Sequence, residues 1–274
     1  PYHPNGRGFD EFYGFCSGHW GDYFSPPLEL NGQIIKGNGF CIDDFTDKAI
    51  AFIENSTRNK KPFFAYIPYN TPHSPMQVPD KWWDKFKDKN IKMRNRDPRR
   101  EDIDHLRCAL AMCENIDWNV GRILKKIDAL KISENTIVIF LGDNGTPSQV
   151  VQFPYRTRRA KGSIFQGGIN VPMVISGAGI TRIGEREDAL IQSTDLFTTI
   201  AQIAGSAISE KHDSRSFEPL LSNKGANPRT HAYAEKSTDG NVSYAVRDSQ
   251  YKLIVDADGA ESMYDLKNDP YERN

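Results

Sequence analysis

Apolar positions along the chain change period several times, and each change predicts an element. Phe45, Ala49, Ile50 and Ile53 recur at helical spacing behind Asp43 and Asp44, either of which suits a helix start, so a helix is expected over 43–57. Lys61-Pro62-Phe63-Phe64-Ala65-Tyr66-Ile67-Pro68 has a continuous apolar centre, the pattern of a strand buried on both faces. Residues 69–79 carry three prolines and read as loop. The longest stripe, Leu106, Ala109, Cys113, Ile116, Val120, Ile123, Leu124, Ile127 and Leu130, predicts a helix over 105–130. Thr136-Ile137-Val138-Ile139-Phe140-Leu141 is a second apolar strand, ended abruptly by Gly142-Asp143-Asn144-Gly145, and residues 171–176 make a third. Ser193 or Thr194 caps a helix that runs to Ala204 and closes at Gly205.

Strands alternating with helices predict an α/β fold, a mostly parallel sheet flanked by helices. Beyond about residue 210 the pattern shortens to alternating strands at 231–237, 242–247, 250–256 and 261–265, which predict a small antiparallel α+β subdomain. The expected organisation is a catalytic domain over 1–209 and a C-terminal antiparallel subdomain over 210–274. Residues 1–42 read as irregular loop with short strands, 87–104 as a solvated charged loop, and 146–170 as loop with a basic patch at Arg156, Arg158, Arg159 and Lys161.

Charge narrows the partners. Lys and Arg number 35 and Asp and Glu 36, so the net charge of −1 exerts no long-range pull on nucleic acid or an anionic membrane. Any bound anion must be held by a local cluster. No apolar run reaches membrane-spanning length. The opening Pro1-Tyr2-His3-Pro4-Asn5-Gly6-Arg7-Gly8 has neither the basic nor the apolar region of a signal peptide and no initiating Met, and reads as an internal cut. The four cysteines, Cys16, Cys41, Cys108 and Cys113, form no C-x-x-C pair and none has His at zinc spacing, so packed, reduced thiols are expected.

Ligand sites of open parallel sheets lie beyond the carboxyl ends of the strands. His73 follows the first predicted strand, Asp143 and Asn144 follow the second, and Lys161 precedes the third. A carboxylate beside a carboxamide offers hard oxygen ligands suited to calcium or magnesium. The same Asp-Asn-Gly sequence also suits a plain Asx turn. His73, flanked by prolines, could donate to an anionic oxygen or act as general acid, or be an exposed loop histidine. Lys161 could neutralise a tetrahedral oxyanion, or be a solvated loop lysine. Taken together the groups describe a metal-assisted site for a sulfate or phosphate ester.

The ordered set of motifs resembles the sulfatase family. It comprises Arg7-Gly8-Phe9-Asp10-Glu11-Phe12-Tyr13-Gly14-Phe15, Thr71-Pro72-His73-Ser74-Pro75, and Asn115 through Leu124 with its Asp117, Val120, Gly121 and Arg122. Asp143-Asn144-Gly145, Arg159-Ala160-Lys161-Gly162-Ser163 and Ser193-Thr194-Asp195-Leu196 follow in the family's order, as does the tail Tyr264-Asp265-Leu266-Lys267-Asn268-Asp269-Pro270-Tyr271-Glu272. The resemblance implies an alkaline phosphatase-like fold and a sulfuric ester hydrolase acting on an aryl or carbohydrate sulfate. It implies Asp143 and Asn144 as ligands of Ca2+, or of Mg2+, and His73 and Lys161 as catalytic groups contacting the sulfate. It also implies a periplasmic, secreted or lysosomal location.

One departure is large. The family nucleophile is a formylglycine made from Cys or Ser in a Cys/Ser-x-Pro-x-Arg motif, and no Cys or Ser of this sequence is followed by x-Pro-x-Arg. The resemblance is therefore to the C-terminal portion of a sulfatase lacking its N-terminal formylglycine segment, expected to be inactive alone. Smaller departures are Gly142, where Ser is common, and Gln166, where an acidic residue or His is common. The alternatives are a phosphatase or phosphodiesterase of the same superfamily and a non-catalytic sulfatase-like fragment. His19, Trp20, Asp22 and Tyr23, and likewise Trp82 and Trp83, could line a sugar pocket or simply pack their loops.

Overall fold

The computed structural model describes residues 2–18, 21–94, 98–209, 211–223, 225 and 227–273. They divide into two compact units, one of Pro1–Met93 with Asp102–Glu134 and the other of Arg94–Glu101 with Asn135–Asn274.

The first unit opens with an antiparallel sheet of β1 (Tyr13–Gly14), β2 (Pro27–Leu30) and β3 (Gln33–Lys36). Leu30 pairs with Gln33 across Asn31-Gly32, whose φ values of 48° and 89° give the left-handed turn that matches strand twist. Three helices follow, α1 (Cys41–Arg58), α2 (Asp80–Trp83) and α3 (Ile103–Ala129). Neither Asp43 nor Asp44 caps α1, which starts from Phe40 without a side-chain cap. Both lie in its first turn and bond elsewhere. Asp44 accepts from the Asn38 N–H (2.9 Å) and the Tyr13 hydroxyl (2.5 Å), and Asp43 accepts from the amides of Asn115 and Asn119 (2.8 Å each). Helix α3 is capped by Asp102, which accepts the His105 N–H at 2.9 Å.

The buried face of α3 is not the apolar stripe. It comprises Cys108, Ala111, Met112, Asn115, Asn119 and Ile127, while Cys113 is exposed and Leu124 partly so. The two amides can be buried because Asp43 satisfies them. The core gathers Tyr23, Phe40, Cys41, Ile42, Cys108 and Met112, with Trp82, Phe86 and Ala111 beside α2.

The second unit holds β4 (Ile137–Leu141), α4 (Gln166–Ile169), β5 (Met173–Gly177), α5 (Asp195–Ile203) and then β6 (Ala232–Thr238), β7 (Asn241–Arg247), β8 (Tyr251–Val255) and β9 (Glu261–Asp265). The last four form an antiparallel meander in sequence order. Ile254 is fully buried on it with Ala245, Tyr264 and Leu266, and Ile164 packs onto the same cluster. Neither Ser193 nor Thr194 caps α5 with its side chain. Asp195 itself accepts the Gln192 N–H at 2.8 Å, and Gly205 (φ 69°) follows the last turn.

The expected parallel sheet is corrected. Every strand pairing among the described residues is antiparallel, including β4 with β5, where Ile137 faces Gly177 and Leu141 faces Met173. Residues 61–70 join no ladder and alternate in exposure, with Tyr66 67% exposed. On the β4–β5 pair Phe140 is 45% and Val174 62% exposed, so those strands are not buried on both faces. A continuous apolar run encodes extended backbone but carries no information on strand direction, which register and connection decide.

Candidate functional site

Gly142, whose N–H donates to the Pro172 carbonyl at 3.0 Å, carries the chain out of β4 into an exposed turn holding Asp143 and Asn144. The Asn144 amide nitrogen donates to Asp143 Oδ2. That leaves the Asn144 amide oxygen and Asp143 Oδ1 as the hard donors of the turn. Gly145 then donates its N–H to Gly168 O (2.9 Å), and a Cβ on Gly145 would lie 1.9 Å from Gly167 O, so no other residue fits. Thr146 O accepts the Lys161 N–H at 3.0 Å. The loops of Asp143-Asn144 and of Lys161 are thus stitched together by main-chain bonds, with the Lys161 side chain exposed.

Two arginines of the basic patch are structural. Arg156 donates to the Arg273 carbonyl (2.6 Å), and Arg159 donates to the Tyr264 hydroxyl (3.2 Å) while lying 4.4 Å over the Phe165 ring.

His73 belongs to the first unit. Its Nδ1 faces the Ser74 carbonyl at 2.9 Å, so Nδ1 carries the proton in the neutral ring and Nε2 is the basic nitrogen. Tyr23 is fully buried, and its hydroxyl lies 3.0 Å from the carbonyls of both His73 and Ser74 and 3.3 Å from that of Asn70. Burial pushes this phenol up to about 12, which keeps it a donor at neutral pH. Tyr23 is therefore an anchor of the histidine loop, not the lining of a sugar pocket. His19 and Trp20 lie outside the described residues. Asp22 accepts the Phe24 N–H at 2.9 Å in a local turn. Trp82 is buried, whereas Trp83 lines a cavity of about 510 Å³ with Phe24, Met76, Asp80, Asp102 and His105.

Tertiary structure also assembles a group that spacing does not show. His3, Cys16 and Glu29 place ligand atoms within 4.8 Å of one another, a set able to hold a metal ion. The pairing of β1 with β2 and the 3-10 turn Pro4–Arg7 bring them together. The ring is already engaged, since Nδ1 accepts the Asn5 N–H (3.3 Å) and Nε2 sits 2.7 Å from Glu29. Packing around the sulfur, and then the Glu29 carboxylate, push the Cys16 thiol up. Cys16 and Cys113 are exposed and Cys41 and Cys108 buried, and all four are free, which corrects the expectation of uniformly packed thiols.

Comparison with known proteins places these features. The family model described as Sulfatase matches residues 2–206, and that of the N-sulphoglucosamine sulphohydrolase C-terminal region matches 159–274. The Escherichia coli (strain K12) protein named uncharacterized sulfatase YdeN is 29% identical over 81% of this chain and 38% of its own length. Arylsulfatase K of Xenopus laevis is 26% identical over 90% of this chain and 54% of its own. The crystal structure of Ps i-CgsB in complex with k-i-k-neocarrahexaose superposes with a TM-score of 0.87 at 28% identity, over 100% of this chain and 63% of that one. This chain thus spans roughly a third to a half of the length of these curated relatives. The expected likeness to a C-terminal portion alone is corrected to a match with the Sulfatase family model itself over residues 2–206. The Sulfatase match begins at residue 2, and the two family matches together take in residues 2–274.

Proposed function

This chain belongs to the sulfatase family, and from that premise we propose that the protein hydrolyses sulfate esters of a carbohydrate. The observation that carries the reading is the joining of two loops. The carboxylate–carboxamide turn after β4 is tied to the loop of Lys161 by the Lys161 N–H to Thr146 O bond, and to α4, which follows that loop, by the Gly145 N–H to Gly168 O bond. Hard oxygen donors and a cation on tied loops suit a metal-bound oxyanion.

Asp143 and Asn144 would hold Ca2+, or Mg2+, through Asp143 Oδ1 and the Asn144 amide oxygen, and their donor chemistry fits the ion. A bound ion would supply positive charge to a sulfate oxygen. Lys161 would neutralise charge building on the ester oxygen as the bond to sulfur lengthens. On the strength of its motif, His73 is assigned a sulfate contact through Nε2, which can deliver a proton to a leaving oxygen when protonated. Its Nδ1, committed to Ser74 O, holds the ring in one tautomer.

A carbohydrate is favoured over an aryl sulfate for two reasons. The Ps i-CgsB structure, 28% identical, is a complex with a neocarrahexaose. In this chain, Trp83 and Phe24 line one cavity together with the carboxylates of Asp80 and Asp102. Aromatic faces and carboxylates suit sugar rings and their hydroxyls. No Cys or Ser of residues 1–274 is followed by x-Pro-x-Arg. These residues by themselves are therefore expected to bind ion and sulfate ester without turnover.

Calorimetric titration with calcium tests the reading. The unaltered chain should bind, and Asp143→Ala should weaken binding at least tenfold. Equal affinity of the two would remove Asp143 from the site.

A further inference from the structure

We propose that Glu272 is a positioning residue for the ion-binding turn. Its buried carboxylate, paired with Lys252, fixes the start of α4, and α4 in turn fixes the backbone of Asp143-Asn144-Gly145 and of Lys161. This inference rests on the reading of those residues given above.

Glu272 is 1% exposed and Lys252 0%, and their charged atoms lie 2.6 Å apart. The other carboxylate oxygen accepts the Gln166 N–H, also at 2.6 Å. Such a pair is a poor stability device, because removing two charges from water costs about what their attraction returns, and apolar replacements often do as well. The backbone bond supplies a different reason for it. Gln166 is the first residue of α4, so its N–H has no acceptor within the helix. It is also only 6% exposed, so water is no substitute. An apolar residue at 272 would orphan that N–H. Glu272 even holds φ at +52°, which disfavours a side chain, and a glycine there would ease the backbone but bring no acceptor.

From Gln166 the linkage runs through backbone with no slack. Gly168 O accepts the Gly145 N–H. A Cβ would meet backbone at 1.9 Å on Gly145, at 2.3 Å on Gly167 and at 2.2 Å on Gly168. A displacement of α4 therefore has nowhere to be absorbed before it reaches the turn of Asp143 and Asn144. On the other side of Gln166, Ile164 is locked into the β7–β9 core and Ser163 closes the Lys161 loop onto Ala160 O at 3.1 Å.

Amide hydrogen exchange with calcium titration on the 274-residue chain tests this. In Glu272→Ala, exchange at Gly145 and Lys161 should quicken at least tenfold while Ala245, in β7, stays within twofold. Calcium should bind about tenfold more weakly. Glu272→Gln keeps a carbonyl for the Gln166 N–H and should restore most of the protection. The double variant Lys252→Met/Glu272→Leu fills the space with apolar groups. It should melt near the unaltered chain yet still show fast exchange at Gly145 and Lys161, which separates positioning from folding even if the alanine variant fails to fold. Unchanged exchange at both amides in the double variant would overturn the proposal. An unaltered chain that binds no calcium, with exchange still quickened in the variants, would refute the calcium reading and leave the positioning standing.

Discussion

The buried phenol of Tyr23 lies 3.0 Å from the backbone carbonyl of His73, fifty positions along the chain. One proton faces three carbonyls, those of Asn70, His73 and Ser74, so the hydroxyl gathers the loop instead of serving one bond. Tyr23→Phe keeps the ring in the core and removes only that donor. It should cost about 1–2 kcal/mol by urea denaturation, with no change in m-value. Binding of a sulfated sugar should weaken several-fold if His73 contacts it.

Asp43 carries the contact between α1 and α3. Its carboxylate satisfies the amides of Asn115 and Asn119, both 0% exposed. Asp43→Ala would remove the acceptor of the Asn115 amide, whereas Asn119 Nδ2 keeps the Asn115 carbonyl at 3.0 Å, and it should cost about 1–3 kcal/mol in thermal or denaturant melts. Asp47, whose partner Arg122 also lies on α3, has a side chain 53% exposed, and Asp47→Ala should cost less than about 1 kcal/mol. Equal losses would mean that helix contact, and not amide satisfaction, sets the effect.

Two glycine substitutions should have opposite signs. A methyl on Gly145 meets Gly167 O at 1.9 Å, so Gly145→Ala must displace the turn. It should destabilise the chain by about 2–3 kcal/mol and lower calcium affinity at least tenfold. Gly121, inside α3, has no neighbour within 4 Å of the place a methyl would take, and Gly121→Ala should stabilise by about 0.5–1 kcal/mol. Paired denaturation curves check both.

Asp195 should make stability acid-sensitive. Burial pushes its carboxyl up, but the Arg229 guanidinium and the N–H groups of Gln192 and Arg215 outweigh burial and hold it below the usual carboxylate range. A depressed carboxyl contributes stability that is complete above its unfolded value, about 3.9. That stability is lost as pH falls through the lower folded value. Asp195→Asn should cost about 3–5 kcal/mol at pH 7, because it leaves Arg229 buried without its partner. The gap between variant and unaltered chain should then close below about pH 4. Denaturant midpoints from pH 7 to pH 3 measure it, and a gap constant with pH would exclude the ionised pair.

The local elements were legible in the residues. Helical spacing placed α1 and α3, and alternation placed the strands β6 to β9, because side-chain period follows backbone geometry directly. The turn chemistry around Asp143 was legible for the same reason, since an apolar strand that ends in Gly-Asp-Asn-Gly must turn and leave its polar groups outside. What period cannot encode is which element meets which. The β4–β5 pair is antiparallel, the buried face of α3 includes Asn115 and Asn119, and Tyr23 is an anchor instead of a pocket wall. Each of these depends on a partner distant in sequence. Asp43 makes two buried amides tolerable, and three carbonyls make a buried phenol useful. Likewise His3, Cys16 and Glu29 meet only after β1 pairs with β2, and Glu272 reaches Gln166 only after the C-terminal strands have folded. Sequence alone determined the long helices, the C-terminal strands and the kinds of group they carry, but not the apolar run at 61–70, which joins no ladder, nor α4, which lies in a stretch that reads as loop. Tertiary structure decided strand direction, the buried faces and which polar groups are shared, because the cost of burying a polar atom is fixed by a partner that local pattern does not reveal.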